Sequence, residues 1–218
     1  MAEEYADRPV SRSSLLEIQE DREVIEEGYG FLDEKLVLLA QELLKRLREY
    51  EEEQRRYREL EQAAARALAE AVDRHGLEGV QVYPPAAPGE SRLRFRTQNF
   101  LGVELREGAV LESSGPAGES EVPPRPSAEA EDCAEQFRVL TEVGAELAVK
   151  AANLRRLMAE YRRSEKRARA LDNVVLPEVR TAERGMRERL EEAEQEEAVR
   201  IRLFAPGQGG TGPAGTGG

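Results

Sequence analysis

What most constrains this chain is a helical apolar stripe that runs almost without a break from Ser127 to Phe204. Phe137, Leu140, Gly144, Leu147, Ala151, Leu154, Met158 and Tyr161 step by three and four, the spacing of a heptad seam. Gly144 is a weak member, and Glu165 interrupts the stripe before Ala168. From Ala168 the steps become three, four, four through Leu171, Val175, Val179, Ala182, Met186 and Leu190. Such eleven-residue units average about 3.67 residues per turn, so this end is expected to supercoil little, or slightly to the right. A single apolar stripe of this length has to lie along another helix.

The partner is legible upstream. Ser13 or Ser14 is placed to cap a helix, and Glu17 lies three residues after Ser14 in a capping-box pattern. Leu15, Ile18, Ile25, Tyr29, Leu32, Leu36, Leu39, Leu43, Leu47, Tyr50, Tyr57, Ala64, Leu68 and Ala71 then recur at helical spacing. The helix is expected to end near His75 with Gly76 as a left-handed cap. Some 60 residues make a rod of about 90 Å. An antiparallel register in which paired numbers sum to about 215 would set the acids of Glu49–Glu53 against Arg162, Arg163, Lys166 and Arg167. Pro177 falls inside the second stripe; because the apolar pattern runs through it, a kinked but continuous helix is expected rather than a stop at Leu176.

Between the helices the composition changes. Val80–Glu90 is proline-rich, Ser91–Thr97 alternates as a half-buried strand, and Val103–Leu105 with Ala109–Leu111 supply the return. Ser113–Pro126, rich in Gly, Ser, Pro and acid, reads as loop. A hairpin is therefore expected at the end of the helical pair remote from both termini. The fold class is mainly α: a long two-helix antiparallel coiled coil with a small β-hairpin in the middle of the chain. Its divisions are a flexible arm (1–12), a first helix (13–76), the hairpin and loop region (77–126), a second helix (127–204) and a disordered glycine-rich tail (205–218).

Composition excludes several function classes. Charged residues make up 35% of the chain, aromatics only 5%, and Trp is absent, the balance of solvated helices rather than of a thick enzyme core. A net charge of -12, with bases interleaved among acids, argues against nucleic acid as partner. One cysteine, Cys133, cannot form an internal disulfide, and the longest apolar run, Leu36–Ala40, is far too short to span a membrane, so a cytoplasmic location is expected. His75, the one histidine, sits where a helix C-terminus favours a cation. No nucleophile and base, metal-ligand set or cofactor motif can be assembled, and the tail glycines lack the strand and Lys-Ser/Thr of a phosphate loop.

The run RARALDNVVLPEVR from Arg167 to Arg180, continuing through RERLEEAEQEEAVRIRLF to Phe204, resembles the D subunit of the V-type and A-type rotary ATPases. That family carries a basic pair, N-A-L-E, V-V/I-I-P, then L-E-E-x-E-R-E and a basic R-L-K. Here these are Arg167 and Arg169, Ala170–Asp172, Val174–Pro177, Leu190–Glu192 with Glu196 and Glu197, and Arg200–Arg202. Asn99, Phe100, Leu101, Gly102 and Val103 are similar to its central N-V-M-G-V. The resemblance covers about Ser13 to Phe204.

It implies a non-catalytic central rotor shaft without cofactors. The helix ends would enter a hexamer of alternating A and B subunits, and other parts would bind the F subunit and a funnel-shaped protein (C/d) on the membrane ring. The hexamer-facing residues it implies are Leu15, Leu16, Gly28 and Leu32 on the first helix, and Val174, Val175, Pro177, Arg180, Arg184, Arg187, Arg200 and Arg202 on the second. Asn99, Phe100, Leu101, Gly102 and Val103 would make the membrane-side contacts. The chain departs from the family in one respect: where a K-K-K-R-D-like run is usual after the glycine, Ser13–Lys35 has eight acids against two bases, a net of -6. A basic, salt-sensitive partner surface is expected to match it. The rival reading is a chaperone-like coiled coil of the prefoldin type, which has shorter helices and lacks the V-V-L-P segment.

Overall fold

A computed structural model describes Tyr5 and residues 8–83, 91–113 and 127–204, without the side chains of Ser91, Arg92, Ala109 and 111–113. The expected loop 114–126 and tail 205–218 lie outside the described residues. The elements are α1 (Arg12–Val80), β1 (Ser91–Phe100), β2 (Val103–Ser113), α2 (Ala128–Ala170), a π-helical turn (Leu171–Val175) and α3 (Leu176–Phe204). The fold is mainly α, with a two-stranded antiparallel sheet in the middle of the chain. The chain divides into two compact units, residues 1–32 with 167–218, and residues 33–166.

The caps refine the expected boundaries. Ser11, not Ser13 or Ser14, caps α1: its Oγ accepts the Ser14 N–H at 3.1 Å and its carbonyl accepts the Leu15 N–H at 3.1 Å. Ser127 caps α2 through the Ala130 N–H at 3.3 Å. Gly76 has the expected positive φ of 70°, but with ψ at 163° it interrupts α1 for one residue, and a last turn follows to Val80. That region of backbone space is essentially reserved for glycine.

In the unit of residues 33–166 the helical segments run antiparallel. Lys35 meets Glu160 at 2.7 Å, Glu53 meets Lys150 at 2.7 Å, and His75 meets Ser127 at 2.6 Å. These numbers sum to about 200, which corrects the expected register of 215: Glu53 faces Lys150, not Arg162–Arg167. The reason is packing. Leu39 and Leu157, both fully buried, share one cluster, and the Tyr57 ring lies where a Cβ on Gly144 would be 3.1 Å away. Interdigitation of that kind outweighs outer ion pairs, each worth about 0–1 kcal/mol. Gly144 is thus the slot for a tyrosine. Leu47, Leu68 and Met158, expected in the seam, are 41%, 38% and 40% exposed, whereas Ala67 and Val143 are buried. Ser164 closes the gap that Glu165 leaves, buried with its Oγ 3.4 Å from Glu160.

The hairpin is also placed differently. Val103 and Leu105 join Leu39 and Leu157, with Leu43, Phe100 and Tyr161 around them. It therefore packs on the flank of the helical pair; the remote end is filled by Ala67, Ala71 and Cys133 with Val80 and Phe137. A two-residue turn, Leu101–Gly102, joins the strands, and both residues have positive φ, 49° and 88°. That is the twist-matched hairpin turn, which normally selects Asn-Gly. A bulge between Arg94 and Arg96, where Gly108 has φ 66°, merges the two expected return segments into one strand.

In the other unit, Ile18, Val179, Met186 and Tyr5 form the core, with Leu15, Ile25, Val175 and Ala182 against it. Arg12 meets Glu194 at 2.7 Å and Glu26 meets Arg180 at 3.0 Å, again antiparallel. The helix continues through Pro177, as expected, but by a device the spacing did not reveal. Leu176 donates its N–H to Leu171 O, one residue further back than in an α-helix. This wide turn takes up an extra residue within the first of the two eleven-residue units.

Candidate partner-binding surface

The outward face of the unit containing both helix ends is built by α1, the π-turn and α3. On α1, Leu16, Val24 and Phe31 are 58%, 67% and 66% exposed. Helical geometry sets them on one side with the exposed Glu20, Glu23 and Glu27, opposite the buried Ile18. Other acids of this segment are matched internally: Arg8 meets Glu17 at 3.5 Å and Asp21 at 3.4 Å, and Glu26 takes Arg180. Among the described residues Glu20, Glu23 and Glu27 form no ion pair.

The residues implied by resemblance divide into three groups. Leu16, Val174, Pro177, Arg184, Arg200 and Arg202 are exposed. Leu15 and Val175 pack inward on the Ile18 cluster, and Gly28 and Leu32 are half-buried. Arg180 and Arg187 are engaged at home, with Glu26 at 3.0 Å and Glu183 at 2.8 Å. Glu183 is a hub: it also accepts Gln19 Nε2 at 3.2 Å and meets Arg22 at 3.3 Å. Arg184 donates to the Arg180 carbonyl at 3.3 Å.

Sequence reasoning missed two features of this unit. Tyr5 belongs to the core, and Arg8 lies 4.9 Å over its ring. Val199, Ile201, Leu203 and Phe204 are 55%, 63%, 76% and 80% exposed at the end of α3. The true register would have found them, because α3 beyond Glu194 has run past the α1 N-terminus. In the other unit, the expected contact turn Asn99–Val103 caps the hairpin: Asn99 Oδ1 accepts the Gly102 N–H at 3.0 Å, Leu101 is 36% exposed, and Val103 is buried. Exposed leucine with positive φ is strained, a feature that collects at functional sites.

Elsewhere the chemistry is quiet. Among the described residues no group of His, Cys, Asp and Glu is arranged to hold a metal, and no helix is long and apolar enough to cross a membrane. Burial, with Asp132 adding to it, raises the pKa of the Cys133 thiol. His75 stacks at a tilt on Tyr83, 5.5 Å between centroids, and its Nε2 meets Ser127 Oγ.

Residues 14–205 match the family model for the ATP synthase D subunit. The chain belongs to that family. It is 25% identical over 195 residues to the V-type ATP synthase D subunit of Thermotoga neapolitana, covering 88% of this chain and 94% of that protein. Against the V-type ATP synthase D subunit of Anaeromyxobacter dehalogenans (strain 2CP-1) identity is 30% over 197 residues, 89% and 93% of the two chains. The A-type ATP synthase D subunit of Methanoregula boonei is 26% identical over 199 residues, 88% and 92%. The match thus takes in both long helical stretches and the hairpin.

Proposed function

We propose that this chain is the non-catalytic central rotor shaft of a V/A-type rotary ATPase, coupling nucleotide turnover in an A/B hexamer to ion translocation through a membrane ring. The family match over residues 14–205 carries this reading. In support, both units are paired antiparallel helices, a form that transmits torque along its axis. An asymmetric subunit in a three-fold ring gives each catalytic interface a different neighbour, so sequential turnover turns it.

The hexamer-facing surface comprises Leu16, Val174, Pro177, Arg184, Arg200 and Arg202 directly, with Gly28, Leu32, Arg180 and Arg187 beside them and Leu15 and Val175 supporting from beneath. The face bearing Glu20, Glu23 and Glu27 among Leu16, Val24 and Phe31 meets a basic, partly apolar partner surface. The turn Asn99–Val103, led by Leu101, contacts the membrane-side stalk, where the F subunit and the funnel-shaped C/d protein are the partners. The chain works in the cytoplasm, peripheral to the membrane as part of the complex.

The test is native mass spectrometry of what co-purifies with the tagged full chain from its own cells. One copy with three A and three B subunits is expected. Self-association, or a small coiled-coil oligomer without ATPase subunits, would replace this reading with the chaperone-like one.

A further inference from the structure

Two kinds of buried contact hold the hairpin on its helices, and only one of them is directional. Val103 and Leu105 supply apolar contact to Leu39 and Leu157, which resists separation but tolerates sliding. Asn153 of α2, 2% exposed, supplies the direction. Its Oδ1 accepts the Arg106 N–H at 2.9 Å and its Nδ2 donates to the Arg106 carbonyl at 2.6 Å. Those backbone groups also fix which way the amide points, since an N–H needs oxygen and a carbonyl needs nitrogen.

Arg106 is a residue whose N–H and C=O both leave the ladder. Phe100 and Val103 close the two-residue turn, so Gln98 with Leu105 is a bonded pair and Thr97 with Arg106 a non-bonded one. The Asn153 amide therefore does the work of a third strand at one position on the free edge of β2. Sliding by one residue would offer it Leu105 or Glu107, whose groups turn inward to β1. Arg156 also donates to Asn153 Oδ1 at 3.2 Å, holding the amide from its own helix. Arg46 reaches Glu107 at 2.8 Å, but that carboxylate is 44% exposed and the pair adds little.

We propose that Asn153 is a positioning residue, a latch that seats the hairpin in one register on the helical pair and seals the β2 edge, so that the turn Asn99–Val103 is presented in a single place. This goes beyond the rotor reading and is tested on the isolated full chain. Hydrogen exchange would be followed by mass spectrometry for wild type, Asn153→Ala, Asn153→Asp and Glu107→Gln. Aspartate keeps the acceptor and replaces the donor with a group that repels the Arg106 carbonyl.

Both Asn153 variants are expected to speed exchange across residues 91–113 about tenfold or more, from the loss of one or two buried hydrogen bonds. Peptides of α1 and α2 and those of Glu107→Gln should stay near wild type. Unchanged hairpin exchange in the Asn153 variants would overturn the latch. So would an equal rise across hairpin and helices, because Asn153 would then be an ordinary packing residue.

Discussion

At the scale of single residues, stability in this chain is concentrated at a few positions. Glu160 takes Lys35 at 2.7 Å, Arg163 at 3.4 Å and Ser164 at 3.4 Å, and the Lys35 hydrogen bond is the main cause holding its carboxyl below the ordinary glutamate range. A depressed folded pKa stabilises above the unfolded value, about 4.3, and that contribution disappears as pH falls through the lower folded value. Lys35→Met should lose about 1–2 kcal/mol at neutral pH and flatten the acid limb of the stability curve; equal losses at pH 7 and pH 2 in urea melts would show that the pair is not responsible. Cys133, 8% exposed and with a raised pKa, should react with iodoacetamide at neutral pH far more slowly in the folded chain than in urea. Comparable rates would mean this end of the helical pair opens freely. Such details were not legible beforehand. Gly144 read as a weak seam position because the tyrosine that fills it lies 87 positions away in sequence, at Tyr57.

At the scale of elements, spacing told helix from strand reliably, and it failed where geometry depends on partners. Both long helices, the start of the second at Ser127, a positive φ at Gly76 and continuity through Pro177 were readable because propensity and period agree there, although α1 resumes after Gly76 instead of ending at it. Register was not readable. A shift of about fifteen in the sum of paired positions leaves the three-four pattern of each helix unchanged, so only interdigitating side chains choose. The hairpin was recognisable from its alternation, but its seat on Leu39 and Leu157 required knowing that Asn153 and Leu157 face it. Its turn yields a direct prediction. Leu101 at φ 49° occupies a conformation that favours Asn or Gly, so Leu101→Asn should stabilise the hairpin by about 0.5–1 kcal/mol. If hydrogen exchange of the hairpin does not slow, the turn is not strained. If it slows while membrane-side assembly weakens, leucine is there for contact.

At the scale of the whole molecule, family membership was legible in the order and spacing of motifs near α3, because many weak matches in sequence order are jointly specific. The acidic first segment was legible as a departure; its division into matched and unmatched acids was not, since Arg8 folds back from the preceding arm and Arg180 comes from a distant part of the chain. If Glu20, Glu23 and Glu27 meet a basic surface, hexamer binding should weaken at least severalfold from low to high salt, and the triple Gln variant should lose that dependence. Salt-independent binding by the wild type would remove the basic partner. Replacing Arg180, Arg184 and Arg187 with Glu should leave the fold largely intact, because exposed pairs are worth about 0–1 kcal/mol each, while blocking assembly or uncoupling hydrolysis from rotation. Unchanged assembly and coupling would remove these arginines from the contact surface.

The most direct measurement is single-molecule rotation. A gold particle would be attached through Glu78→Cys, an exposed position, with buried Cys133 contributing little background, and the chain bound to an immobilised A/B hexamer supplied with ATP. One-directional rotation with three dwell positions per turn is predicted. ATP hydrolysis by a hexamer whose bound chain stays still would contradict the rotor shaft.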